Sequence, residues 1–142
     1  MARAGELMRG SREMMAHRSY FRGTRAALAV ERLRRATADG RASRAQSREC
    51  LAAVRSARSA SRRFPPELPE ALRLMGTCHW VIGHRRRTIS WWKRSAAFAE
   101  RRGAVVELAN TLHDAGVLLG DSAPGPDWAA RARALCAELG MG

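Results

Sequence analysis

EALRLMGTCHWVIGHRRRTISWWKRSAAFAERR, residues 70–102, decides how the chain is read. Leu72, Met75, Gly76 and His79 stand at offsets of three, one and three, one stripe of an α-helix with a small residue where a neighbour can come close. Gly83 ends that helix, and Arg85, Arg86 and Arg87 crowd the turn. Beyond it Thr88, Trp92 and Ser95 recur at four and three, so the second helix sets a bulky aromatic between two small residues on one face. The spacing predicts a helical hairpin that carries its own contact surface.

Outward from the hairpin the pattern repeats. Leu112, Ala115, Gly116 and Leu119 keep the spacing of Leu72, Met75, Gly76 and His79 about 40 residues on. After a Pro/Gly/Ser loop over 121–126, Asp127 is placed to cap a last helix, in which Trp128, Ala132 and Leu135 fall in register with Thr88, Trp92 and Ser95. Upstream, Phe64 to Pro69 punctuates the chain, and Pro69 suits the first turn of the helix that follows. Before that, Ala26, Ala29, Val30, Leu33 and Ala36 make an apolar stripe, stopped near Gly40. Arg41 to Ser61 reads as the partner helix, with Ala45, Glu49 and Ala52 in the place of Thr88, Trp92 and Ser95. Residues 1–11 hold Gly5, Gly10 and little periodicity, and read as a flexible leader.

Leu72-x-x-Met75-Gly76-x-x-His79 followed by Thr88-x-x-x-Trp92 resembles the tetratricopeptide pattern W-x-x-L-G-x-x-Y, then A-x-x-x-F, then P. Leu replaces Trp, His replaces Tyr, Thr replaces Ala, and Glu100 stands where the proline would. The run Trp91-Trp92-Lys93-Arg94-Ser95, with Ala99-Glu100-Arg101 and Glu107-Leu108-Ala109-x-Thr111, is similar to degenerate repeats at the distal ends of large bacterial cyclase-linked or kinase-linked signalling ATPases. That likeness covers about Leu72 to Leu119. It implies an all-α fold, a short right-handed α-solenoid of about three antiparallel helix pairs (about 12–62, 69–102 and 103–140). The implied role is a cytoplasmic scaffold that is the distal part of a larger signalling protein. Counted from Gly76, the family's groove positions fall on Glu70, Arg73, Thr77 and Trp80, the implied contacts to a protein or peptide partner.

The composition agrees with closely packed helices: 46% of the 142 residues are hydrophobic but only 6% aromatic, alanine supplying much of the rest. The net charge is +13, with about +10 of it before Pro69. Such an excess serves solvated helix faces, nucleic-acid contact or acidic protein partners. Arg41, Arg44, Arg48, Arg55, Arg58 and Arg62 fall on one stripe, so a basic helical nucleic-acid binder is the second reading of the chain. No apolar run is long enough for a membrane span, so no membrane partner is expected. Polar caps on the terminal repeats are not evident, which leaves room for self-association.

Chemistry is sparse. Cys50, Cys78 and Cys136 form no C-x-x-C unit, and a reducing compartment is the expectation. Cys78, His79 and His84 are the nearest thing to a nucleophile and base, yet helix neighbours point apart and cannot easily share a metal or substrate. Neither GxxxxGK[ST] nor GxGxxG occurs. The sequence therefore predicts no enzyme, no cofactor and no metal site. Trp92 falls on the inner stripe and Trp91 on a flank, which favours packing over base stacking.

Overall fold

Gly83 takes a φ of +94°, a conformation open to glycine and costly for other residues. Its N–H bonds to the Trp80 carbonyl at 3.0 Å and the His84 N–H reaches back to His79 at 2.8 Å, which closes the helix and satisfies carbonyls left free at its end. The same pair of bonds recurs at Gly40 and Gly103. These stops divide the chain, seen in a computed structural model that describes residues 2–120 and 127–140. The elements are α1 (Ala2–Ala38), α2 (Arg44–Ser61), a 3-10 turn (Pro65–Glu67), α3 (Leu68–Ile82), α4 (Arg85–Arg102), α5 (Val105–Leu119) and α6 (Trp128–Glu138). Among the described residues the protein is all-α, with no strand. The loop expected over 121–126 lies outside them.

Helical backbone begins at Ala2, so residues 2–11, read from sequence as a leader, continue directly into α1. A glycine inside a helix costs only about 1 kcal/mol against alanine, and the intervening Glu6, Leu7, Met8 and Arg9 are good helix formers. The second helix starts at Arg44, later than expected, because Ser43 accepts the Gln46 N–H while the Gln46 side chain accepts the Ser43 N–H. This capping box leaves Arg41 outside the helix, within 3.6 Å of Asp39. Asp127 precedes α6 without a side-chain cap bond.

Helices pack on their chain neighbours: α1 on α2, α3 on α4 and α5 on α6, with α2 to α3 and α4 to α5 joining them and α3 also meeting α1 and α5. Ala26, Val30 and Leu33 of α1, Cys50, Val54 and Ala57 of α2, and Leu74, Met75 and Cys78 of α3 form one buried cluster. Ala96, Ala99, Leu108, Leu112 and Ala132 form a second across α4, α5 and α6. Trp92 sits between them, fully buried, against Ala115 and Leu119. A Cβ added at Gly76 would lie 2.4 Å from the Trp92 indole, so only glycine admits this ring. The indole N–H donates to the Arg73 carbonyl at 3.1 Å. Next to it Ser95, also fully buried, donates to the Pro69 carbonyl at 2.7 Å and meets the Thr111 hydroxyl at 2.9 Å. One serine thus ties α3, α4 and α5 together.

One register differs from the sequence reading. The buried face of α2 is Cys50, Val54, Ala57 and Ser61, not Ala45, Glu49 and Ala52. Three residues separate Gly40 from α2 whereas only His84 separates Gly83 from α4, so positions counted from the two glycines do not correspond. In the last two helices Gly116 faces Ala129, at 3.0 Å from an added Cβ.

Candidate functional site

Of the four α3 residues expected to meet a partner, Arg73, Thr77 and Trp80 make contacts within the chain and Glu70 borders a cleft. Arg73 is half-buried and reaches α5, where its Nη1 donates to Asp114 at 3.2 Å and its Nε lies 3.5 Å from Glu107. That second contact is ionic only, since neither Arg73 Nε nor Glu107 Oε2 finds a hydrogen-bond partner. Thr77 is buried and donates to the Arg73 carbonyl at 3.1 Å. Trp80 stacks on Trp92, with centroids 6.4 Å apart and an interplanar angle of 26°. Glu70 lines a cleft of about 260 Å³ between α1 and α3, together with Tyr20 and Ser61. Burial pushes its carboxyl above the usual range, and Glu107 adds to that push while Arg73 opposes it.

The Arg stripe of α2 is only partly available to a ligand. Arg58 folds over Trp91 of α4 with its guanidinium carbon 4.9 Å from the ring centroid, and Arg94 approaches the same ring at 4.8 Å. Burial, with repulsion from Arg62, Arg94 and Arg55, holds the Arg58 pKa below its ordinary value. Cation–π contact returns roughly 0.5–2 kcal/mol per pair. Trp91 is therefore a seat for arginines.

The histidine and cysteine candidates separate, as neighbours on a helix should. Cys78 turns towards Cys50 of α2, with sulfurs 3.0 Å apart and both side chains buried. Its hydrogen bond to Cys50, followed by burial, pushes the Cys78 thiol up. His79 turns instead to His84, Nδ1 to Nδ1, at 3.2 Å. Burial, then His84, Arg87 and Arg55, push the His79 pKa down to about 4. It stays neutral near pH 7. Among the described residues no three His, Cys, Asp or Glu side chains gather as metal ligands would, and no helix is long and apolar enough to cross a membrane.

A groove of about 1030 Å³ lies elsewhere, between α1 and α2. Its wall on α1 carries Met14, Phe21 and Leu28, exposed by 58%, 67% and 54%. They recur every seventh residue, so they form one line along the helix. The floor on α2 is low, built from Ala52, Ala53 and Ser56. Sequence reasoning passed over this line, although the spacing of seven was its signal. No family model, curated protein or solved structure matches the chain.

Proposed function

We propose that the chain is a non-catalytic protein- or peptide-binding module, a short right-handed tetratricopeptide-like α-solenoid of three antiparallel helix pairs. The observation that carries the binding role is the groove between α1 and α2, where three large apolar side chains stand in line and in water. Exposed apolar surface gathered in one concave strip is the usual mark of a protein contact. The repeat reading is supported by two close approaches of one helix to a glycine of another, Trp92 at Gly76 and Ala129 at Gly116. On α3, Glu70 contributes to partner binding through the smaller cleft, with Arg73, Thr77 and Trp80 as its support. A scaffold in a larger bacterial signalling protein is the setting that the resemblance favours.

The test compares capture by the wild type with capture by Phe21→Ala/Leu28→Ala, by Arg73→Ala/Trp80→Ala, and by a variant with Arg44, Arg48 and Arg55 changed to Gln. A protein held by the wild type and by the Gln variant, and lost with the first pair, supports the groove. Equal recovery by all four, or recovery that nuclease abolishes, overturns it in favour of phosphate contacts, which also weaken steeply with salt.

A further inference from the structure

We infer that the groove between α1 and α2 takes one kind of partner, an amphipathic helix with acidic flanks. This rests on the groove being a protein-binding surface and adds the identity of what fills it. From Met14 to Leu28 the apolar line is about 21 Å long at 1.5 Å per residue, which matches about four turns of a docked helix and exceeds a small molecule. A helix partner also presents apolar side chains at three- and four-residue intervals, the spacing needed to meet a straight line of anchors over a shallow floor.

Charge narrows the choice. Arg18, Arg22, Arg25 and Arg32 line the groove beside Met14, Phe21 and Leu28, against one carboxylate, Glu49. Among the described residues none of these four arginines is in an ion pair. A second copy of the chain would bring the same arginines face to face, on a molecule of net charge +13, and like charges across an interface cost several kcal/mol. Nucleic acid would satisfy the arginines but leave the apolar line against phosphate and water. A helix with Leu-like residues on one face and Glu or Asp beside them satisfies both features at once, and the arginine stems add apolar cover at the rim.

The probes are two synthetic helices of about 18 residues with an identical leucine face, one flanked by Glu and the other by Lys, followed by fluorescence anisotropy with the full chain. The Glu peptide should bind at least about ten-fold more tightly than the Lys peptide. Phe21→Ala/Leu28→Ala should abolish its binding, while Arg18→Glu/Arg25→Glu should reverse the preference so that the Lys peptide binds better. These side chains are exposed, and unchanged helical circular dichroism verifies that each variant is folded. A gain in Lys-peptide binding cannot come from misfolding. Equal binding of both peptides, a preference untouched by the charge swap, or a dimer that Phe21→Ala/Leu28→Ala dissolves would each overturn the proposal. If a captured protein depends on Phe21 and Leu28 while the Glu peptide does not bind, the assigned partner chemistry fails and the groove as a binding surface stands.

Discussion

Trp92 lies on Gly76 with no room for a methyl group between them, since an added Cβ would come within 2.4 Å of the indole Cδ1 and Nε1. The ring is fully buried and tied to the Arg73 carbonyl, so it cannot swing aside freely. Gly76→Ala should therefore destabilise the protein by about 1–3 kcal/mol through overpacking. Gly116→Ala, facing Ala129 at 3.0 Å, should do less harm, because a shift of a few tenths of an ångström suffices and alanine returns about 1 kcal/mol of helix propensity. Gly23→Ala meets nothing within 4 Å and should stabilise by about 0.4–1 kcal/mol. Thermal denaturation should rank the three in that order, and equal shifts would refute the close approach.

Ser95→Ala removes one hydroxyl but strands another. Thr111, fully buried, loses its 2.9 Å partner, and a buried hydroxyl left unpaired costs about 1–3 kcal/mol. Thr111→Val in the same background removes the stranded group while keeping its shape. Urea unfolding of both single variants and the double should show a coupling of at least about 0.5 kcal/mol. Strict additivity would mean that the two hydroxyls do not meet.

His79 makes stability depend on pH in a defined window. Its folded pKa, about 4, lies below the ordinary 6.5, so the unfolded chain takes up a proton that the folded chain refuses. Stability is full above about pH 6.5 and falls towards pH 4, by about 1.4 kcal/mol per unit across that interval. Below pH 4 both states are protonated and this contribution stays flat. His79→Gln should remove that part of the slope in urea midpoints measured across the window. An unchanged slope would show that other groups set it.

The three cysteines should differ in reactivity. Cys50 and Cys78 are buried against each other, whereas Cys136 is half-buried. Under native conditions a maleimide should add once per chain, at Cys136, and three times after denaturation; intact mass reads both. Early loss of the Cys50 or Cys78 thiol would place α2 and α3 further apart than the 3.0 Å between the sulfurs requires.

The parts legible in the sequence are those set by local chemistry. Gly40 and Gly83 end helices because of their own backbone freedom, and Pro69 falls in the first turn of α3. The Gly76 and Trp92 pairing is also readable, since each sits on its stripe within one hairpin. The register of α2 is not, because Ser43 and Gln46 delay the helix start and shift its buried face to Cys50, Val54 and Ala57. Contacts between distant positions escape as well: Arg73 finds Asp114 at 41 residues and Cys50 finds Cys78 at 28. The groove escapes for another reason. The stripe of Ala26, Val30 and Leu33 is readable and is buried, but whether a neighbouring helix also covers the line of Met14, Phe21 and Leu28 depends on how the helices pack, which the spacing of seven does not say.

Each helix leaning mainly on the next in the chain bears on how the protein acquires its shape. Contacts that join nearby parts of a polypeptide demand little loop closure, and such proteins fold in microseconds to milliseconds. The α3–α4 hairpin, with its two-residue link and the indole locked on Gly76, is the natural nucleus. Structure should then spread towards both ends, leaving α1 and α6 the last to settle and the first to fray, which hydrogen exchange would register as protection that declines outward from the middle of the chain.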